Sequence, residues 1–286
     1  MSEIPQAVVS GLLIGAVYAL VAIGLTLIFG VMDIVNFAHG NFLMLGMYVS
    51  FFAWSLARFD PVASIPIAAA AIAILGIVVY LALIKAVLKG PPLSQIIATF
   101  GLLIFLQGAA QRLFSADARG VPSPLLDTVK LQLGSVVAGG PQLAAALGAL
   151  VFTGAIWWFL SQTELGSAVS AVSQDPDAAR LMGINPERVH LLAWAIAGAS
   201  VGAAAALLMS FFTVDPTAGG NFGLVAFVVV SLGGFGSLRG ALAAGLALGV
   251  VQDLVGLYWP PYAFAAIFAL YLVVVLIRPQ GLFGTR

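Results

Sequence analysis

The segment SQDPDAARLMGINPER, Ser173 to Arg188, lies between LAAALGALVFTGAIWWFL (143–160) and LLAWAIAGASVGAAAALL (191–208). Neither flank contains an Asp, Glu, Lys or Arg, whereas the segment between them holds Asp175, Asp177, Arg180, Glu187 and Arg188. A helix needs about 20 apolar residues to cross a bilayer core, so each flank reads as most of a membrane span. The polar segment then reads as a loop at one membrane face.

Composition extends that reading to the whole chain. Of 286 residues, 62% are hydrophobic and 8% charged, with mean hydropathy +1.13. A soluble domain carries roughly 25% charged residues, and here too few polar residues remain to cover a soluble core. Formal net charge is zero, which leaves no basic surface for nucleic acid. With no cysteine, disulfides, thiolate metal sites and a cysteine nucleophile are excluded. The opening MSEIPQAVV has no Lys or Arg before the first apolar run. It lacks the positive start of a signal peptide, so the first span is expected to be retained.

Apolar runs predict spans near 7–30, 41–57, 62–84, 95–114, 142–160, 189–211, 222–235, 240–257 and 261–277. The expected fold is an all-α, polytopic transmembrane bundle of 8–10 spans with one short loop helix, forming a single domain over 1–286. The polar loop covers about 161–188. A Pro-rich loop on the opposite side, about 115–141, reads as irregular with one short element. Placing the N-terminus outside puts Lys85, Lys89, Arg180, Arg188, Arg239, Arg278 and Arg286 inside, against Arg58, Arg112, Arg119 and Lys130 outside. That bias follows the positive-inside rule and makes 161–188 and the C-terminus cytoplasmic. Glycines four apart, Gly11/Gly15, Gly198/Gly202, Gly236/Gly240 and Gly245/Gly249, are candidates for close helix contacts.

Within the polar loop, Asp175 can cap a helix N-terminus, Pro176 suits the first helical position, and Asp177 favours the first turn. Gly183 suits a left-handed C′ position, and Asn185-Pro186 stops continuation. Two turns are too short to stand alone in water, so this helix docks on something. Ala178, Ala179, Leu181 and Met182 offer small and apolar contacts and Arg180 a charge. Its dock is either another protein or its own bundle.

The pattern Asp177-Ala178-Ala179-x-x-x-Gly183 resembles the EAA…G loop of ABC importer permeases, with Asp in place of Glu. GLLIGAVYALVAIGLTLIFGVMDIVNFAHGNFLMLGMY, LMGINPERV, VVSLGGFGSLRGALAAGLALGVVQ and LIRPQGLFG resemble LivH-type permeases of branched-chain amino-acid importers, nearly end to end. The resemblance implies that the loop helix is a coupling helix seated in a cleft of an ATPase subunit. Asp175, Asp177, Ala178, Ala179, Arg180, Gly183 and Arg188 are then the coupling residues. It further implies a second homologous permease subunit, two ATP-binding subunits, a periplasmic solute-binding protein and a multi-pass place in a bacterial inner membrane. The transport cycle would be alternating access driven by those ATPases.

The residues themselves offer no catalytic constellation and call for no cofactor. Lys85, Lys89 and Lys130, the three lysines, lack the GxxxxGK[ST] context of a P-loop. His39 and His190 lack the spacing of a metal site. Ser237 in GGFGS reads as a turn residue rather than an intramembrane nucleophile. Polar residues inside spans are candidates for a solute path: Asn36 and Asn41 beside the first break, and Gln95, Thr99 and Gln107 on one helix face. The latter stripe equally suits hydrogen bonds to a neighbouring helix. Asp33 and His39 read as an interfacial turn, while Gln252, Asp253, Thr213 and Asn221 are ambiguous. An ion-coupled secondary transporter of a small neutral solute is the alternative function, although no internal repeat or coupling-ion site supports it.

Overall fold

The structure, a computed structural model, describes residues 3–284 except 123–125, 127 and 135. Arg286, used above, lies outside the described residues, as does Pro124 of the Pro-rich loop. Long helices follow the apolar runs: α1 (Glu3–Met32), α2 (His39–Ala57), α3 (Ile65–Val87) and α4 (Pro92–Phe114). After a hairpin of β1 (Lys130–Leu133) and β2 (Val136–Gly139) come α5 (Gly140–Gln162), α6 (Glu164–Gln174) and α7 (Pro176–Leu181). The chain continues through α8 (Pro186–Leu208), α9 (Ala218–Gly233), α10 (Leu238–Tyr258) and α11 (Pro260–Ile277). Among the described residues, eight of these helices are long and apolar enough to cross a membrane, and α9 is a shorter apolar helix. The chain is a multi-pass helical membrane protein.

Prolines set many starts. Pro92, Pro141, Pro176 and Pro186 occupy first-turn positions, where the missing N–H has no partner to lose. Helix contacts follow the paired glycines. A Cβ on Gly11 would lie 2.6 Å from the Gly249 carbonyl oxygen and one on Gly15 2.6 Å from that of Gly245, so α1 and α10 touch backbone to backbone. Side chains on Gly198 and Gly202 would strike the Ile72 and Ala68 carbonyls of α3. With no hydrophobic drive between helices in lipid, such close approach supplies the packing.

Two features place the ends of the bundle. The Gln6 amide pairs with the backbone of Val137, donating to its C=O (2.9 Å) and accepting from its N–H (2.7 Å), so the hairpin covers the start of α1. The expected irregular loop at 115–141 thus contains a β-hairpin. At the other end, Leu27 and Val31 of α1 pack with α6, α7 and the start of α8.

The break at 33–38 does not form the interfacial turn expected for His39. Asp33 is exposed with φ +54, but His39 is 1% exposed. Its Nε2–H donates to the Val21 carbonyl (2.8 Å), and its ring lies level with Gly24 of α1 and Ala197 of α8. The chain therefore re-enters the bundle before α2 begins, about halfway along α8. There α2 meets the start of α9 so closely that a side chain on Gly40 would overlap the Gly219 carbonyl. Irregular backbone at this depth is tolerated because protein, not lipid, surrounds it. The sequence concealed this, since the apolar flanks of a re-entrant break look like those of a surface hairpin.

Candidate functional site

The polar loop folds into three connected pieces. Thr163 opens α6, its hydroxyl accepting from Gly166 N–H (3.0 Å), and α6 lays Val169 and Val172 against the bundle. This helix was not singled out in the sequence; its signal is the apolar spacing of Leu165, Ala168, Val169 and Val172 against polar neighbours. Asp175 ends α6 and caps α7, its carboxylate accepting from the N–H groups of Asp177 and Ala178, both at 2.9 Å. The same device recurs after the loop, where Asn185 accepts from Glu187 N–H (3.0 Å) and Arg188 N–H (3.4 Å) to start α8.

The C-terminus of α7 closes as a Schellman motif: Ile184 N–H donates to Ala179 C=O and Gly183 N–H to Arg180 C=O, each at 3.0 Å. Gly183 sits at φ +83, a conformation that costs a residue with a Cβ about 1 kcal/mol or more. Both ends of this short helix are thus capped locally.

One side of α7 docks on the chain's own bundle. Ala179 is buried with Val169 and Val172 of α6, Val189 and Ala193 of α8, and Leu27 and Val31 of α1. The other side is open. Leu181 is 89% exposed and Met182 82% exposed, while Asp175, Asp177, Ala178, Arg180, Gly183 and Arg188 are also exposed. Arg180 pairs with Asp177 at 3.1 Å on that open face, a solvated pair that contributes little. Of the two expected docks the structure shows the one on the chain's own bundle, through Ala179, while the apolar tip at Leu181 and Met182 is turned away from it. A link runs outward from this module. Glu187 forms an ion pair with Lys85 of α3, just beyond a π-helical turn at Tyr80–Ile84, and the Tyr80 hydroxyl lies within hydrogen-bond distance of His190 Nδ1 of α8, at 3.4 Å.

The polar residues of the spans divide. Asn36, Asn41 and Thr99 come together where the re-entrant break meets α4. Asn36 Oδ1 accepts from Ala38 N–H (3.1 Å), Asn41 Nδ2–H donates to Leu103 C=O (2.9 Å), and the Thr99 hydroxyl lies 3.2 Å from Val35 C=O. The Asn36 bond shapes the break itself, while Thr99 and Asn41 tie the break and the start of α2 to α4; Asn36 Nδ2 and His39 Nδ1 are buried there without a protein partner. Gln95 reaches instead to the Leu88 carbonyl (3.4 Å), at the start of α4, and Gln107 is half-buried two turns beyond Thr99. Ser237 caps α10, its hydroxyl accepting from Gly240 N–H at 3.1 Å, which accounts for a serine after the GGFG turn. Two cavities open at opposite ends. One of about 140 Å³, lined by Thr26, Gly30, Ser170, Ser173 and Gly236, lies beside α6. The other, about 270 Å³, lies near the hairpin end between α1, α5 and α10.

Residues 7–276 match the family described as the permease component of the branched-chain amino acid transport system. The chain is 30% identical to BraD of Pseudomonas aeruginosa, a high-affinity branched-chain amino acid transport system permease protein, over 98% of this chain and 95% of BraD. It is 32% identical to LivH of Escherichia coli, of the same description, over 98% of this chain and 95% of LivH. A probable branched-chain amino acid transport permease from Methanocaldococcus jannaschii is 28% identical over 93% of this chain and 88% of its own length.

Proposed function

The chain belongs to the family of permease components of branched-chain amino acid transport systems, and from that membership we propose that it carries branched-chain or related hydrophobic amino acids as the membrane subunit of an ABC importer. Residues 1–286 act as one permease unit. It works beside a second homologous permease, two ATP-binding subunits and a periplasmic solute-binding protein in a bacterial inner membrane. The hairpin end faces the periplasm and α7 the cytoplasm, as the Lys and Arg distribution favours.

The observation that carries this reading is the open face of α7. Leu181 and Met182 stand out in water on a helix whose caps and Ala179 dock are otherwise complete. A partner that buried both side chains would gain about 1.5–3 kcal/mol from each. An ATPase cleft fits that surface. Closure of the ATPases pushes α7; Ala179 and the capped start of α8 carry the displacement into α1, α6 and α8, and through Glu187 and Lys85 to α3. Asp175, Asp177, Ala178, Arg180, Gly183 and Arg188 shape the gripped surface. Asn36, Asn41, Gln95, Thr99 and Gln107 line or brace the central path, which alternates between the two ends.

Uptake of labelled leucine by cells expressing the complete system separates this from an ion-coupled carrier. Uptake is expected to stop when ATP is depleted with the proton gradient intact, and to continue when an ionophore collapses the gradient with ATP maintained. The reverse pattern contradicts the proposal.

A further inference from the structure

The cavity of about 270 Å³ near the hairpin end contains a charge that the coupling scheme leaves unused. Asp253 lies on α10 five residues before its end, half-buried, in a span whose other residues are uncharged apart from Arg239 at its start. Among the described residues, no hydrogen bond or ion pair to another side chain engages its carboxylate. A carboxylate in an apolar span is costly and is retained where it faces a cavity or a partner.

The surroundings of that carboxylate are ordered and chemically mixed. The Tyr18 hydroxyl donates to Gln252 Oε1 at 2.9 Å, which fixes the Gln252 amide and leaves its N–H groups free to donate into the cavity. Ser10 and Gln142 add further polar groups, and Phe211 and Phe212 form an apolar wall. Among the described residues, no Lys or Arg lines the space. One negative charge, neutral donors and an aromatic wall together suit a small molecule with an ammonium group, a polar end tolerant of neutral donors, and an aliphatic side chain. A free carboxylic acid lacking the ammonium would meet uncompensated repulsion from Asp253.

We propose that this cavity receives the ammonium end of a small zwitterion, with Asp253 as the counter-charge and Gln252, held by Tyr18, as the neighbouring polar contact. Resting on the amino-acid importer reading above, it names the group by which the permease itself distinguishes its substrate. The site lies at the end where solute would enter from a binding protein, and one carboxylate gives selection without tight retention.

Because the chain has no cysteine, a single Ser10→Cys substitution provides a reporter on the cavity wall. The labelling rate of that thiol in the assembled transporter would be measured with 2-aminoethyl methanethiosulfonate, which is cationic, and with the anionic sulfonatoethyl analogue. The cation-to-anion rate ratio is expected to fall about tenfold when Asp253→Asn removes the charge, and to recover in Asp253→Glu. Millimolar leucine should slow labelling in the Asp253 background, with 4-methylpentanoate, which lacks the ammonium, giving no protection. An unchanged ratio in Asp253→Asn, or equal protection by 4-methylpentanoate, overturns the proposal. Protection by isopentylamine without protection by leucine keeps the cationic site and refutes the amino-acid reading on which its occupant rests.

Discussion

At the scale of single residues, the glycines separate into those the fold requires and those it does not. Gly40 has no room for a side chain because the Gly219 carbonyl occupies that position, where α2 and α9 begin. Gly101 and Gly108 on α4 meet nothing within 4 Å of where a Cβ would be. Gly40→Ala is therefore expected to abolish the folded, monodisperse protein in detergent. Gly101→Ala and Gly108→Ala should each raise thermal stability slightly, by up to about 1 kcal/mol from helix propensity. Size-exclusion profiles and melting curves check both; a well-folded Gly40→Ala protein would contradict the re-entrant crossing. Local grammar at this scale was legible in the sequence. Asp175, Pro176, Gly183 and Asn185 do what their side chains and backbone preferences dictate. His39 was not legible, because its burial depends on where α1 and α8 pass, and only the assembled bundle determines that.

At the scale of elements, α7 acts through what holds it. In the proposed coupling its own turns are too few to transmit force, so the route would run through the Ala179 dock and the start of α8. The Lys85–Glu187 ion pair joins that start to α3 beside a π-helical turn, a geometry often found where helices must yield. Both side chains are about half-exposed, so the pair contributes on the order of 0–1 kcal/mol to stability. Its loss should be felt in coupling rather than in folding. Lys85→Glu is expected to leave the melting temperature nearly unchanged while lowering the leucine carried per ATP hydrolysed by several-fold. Combining it with Glu187→Lys should restore coupling. Normal coupling in the single variant, or no recovery in the swap, would show that α3 is not driven through this contact. Element limits were predicted well by apolar run length, to within a few residues for each span. The amphipathic α6 and the β1–β2 hairpin were not: both lie in polar loops, where proline and glycine signals outweigh short periodic patterns.

At the scale of the molecule, the two ends differ in a way that matches directional transport. The hairpin end carries a polar cavity with a carboxylate that has no side-chain partner among the described residues; the α7 end carries exposed apolar residues on a helix capped at both ends. Between them α2 and α9 start near mid-bundle, joined by glycine contact, so in the proposed cycle a shift at one end would be delivered to a crossing rather than to a single continuous rod. The class of the molecule was readable from composition alone. The backbone partners of Asn41 and Thr99, the Leu103 and Val35 carbonyls, were not, since they depend on how the break and α2 pack against α4. The central claim, that α7 is the element gripped by an ATP-driven partner, is tested most directly by co-purification. The tagged permease would be isolated in detergent with its ATP-binding subunits, comparing the native chain with Leu181→Asp/Met182→Asp. Both substitutions fall on exposed positions, so folding and melting behaviour should be unchanged. The account predicts that the native chain retains the ATP-binding subunits and the double variant loses them. Full retention by the double variant, or no association of the native chain under any nucleotide condition, would contradict it.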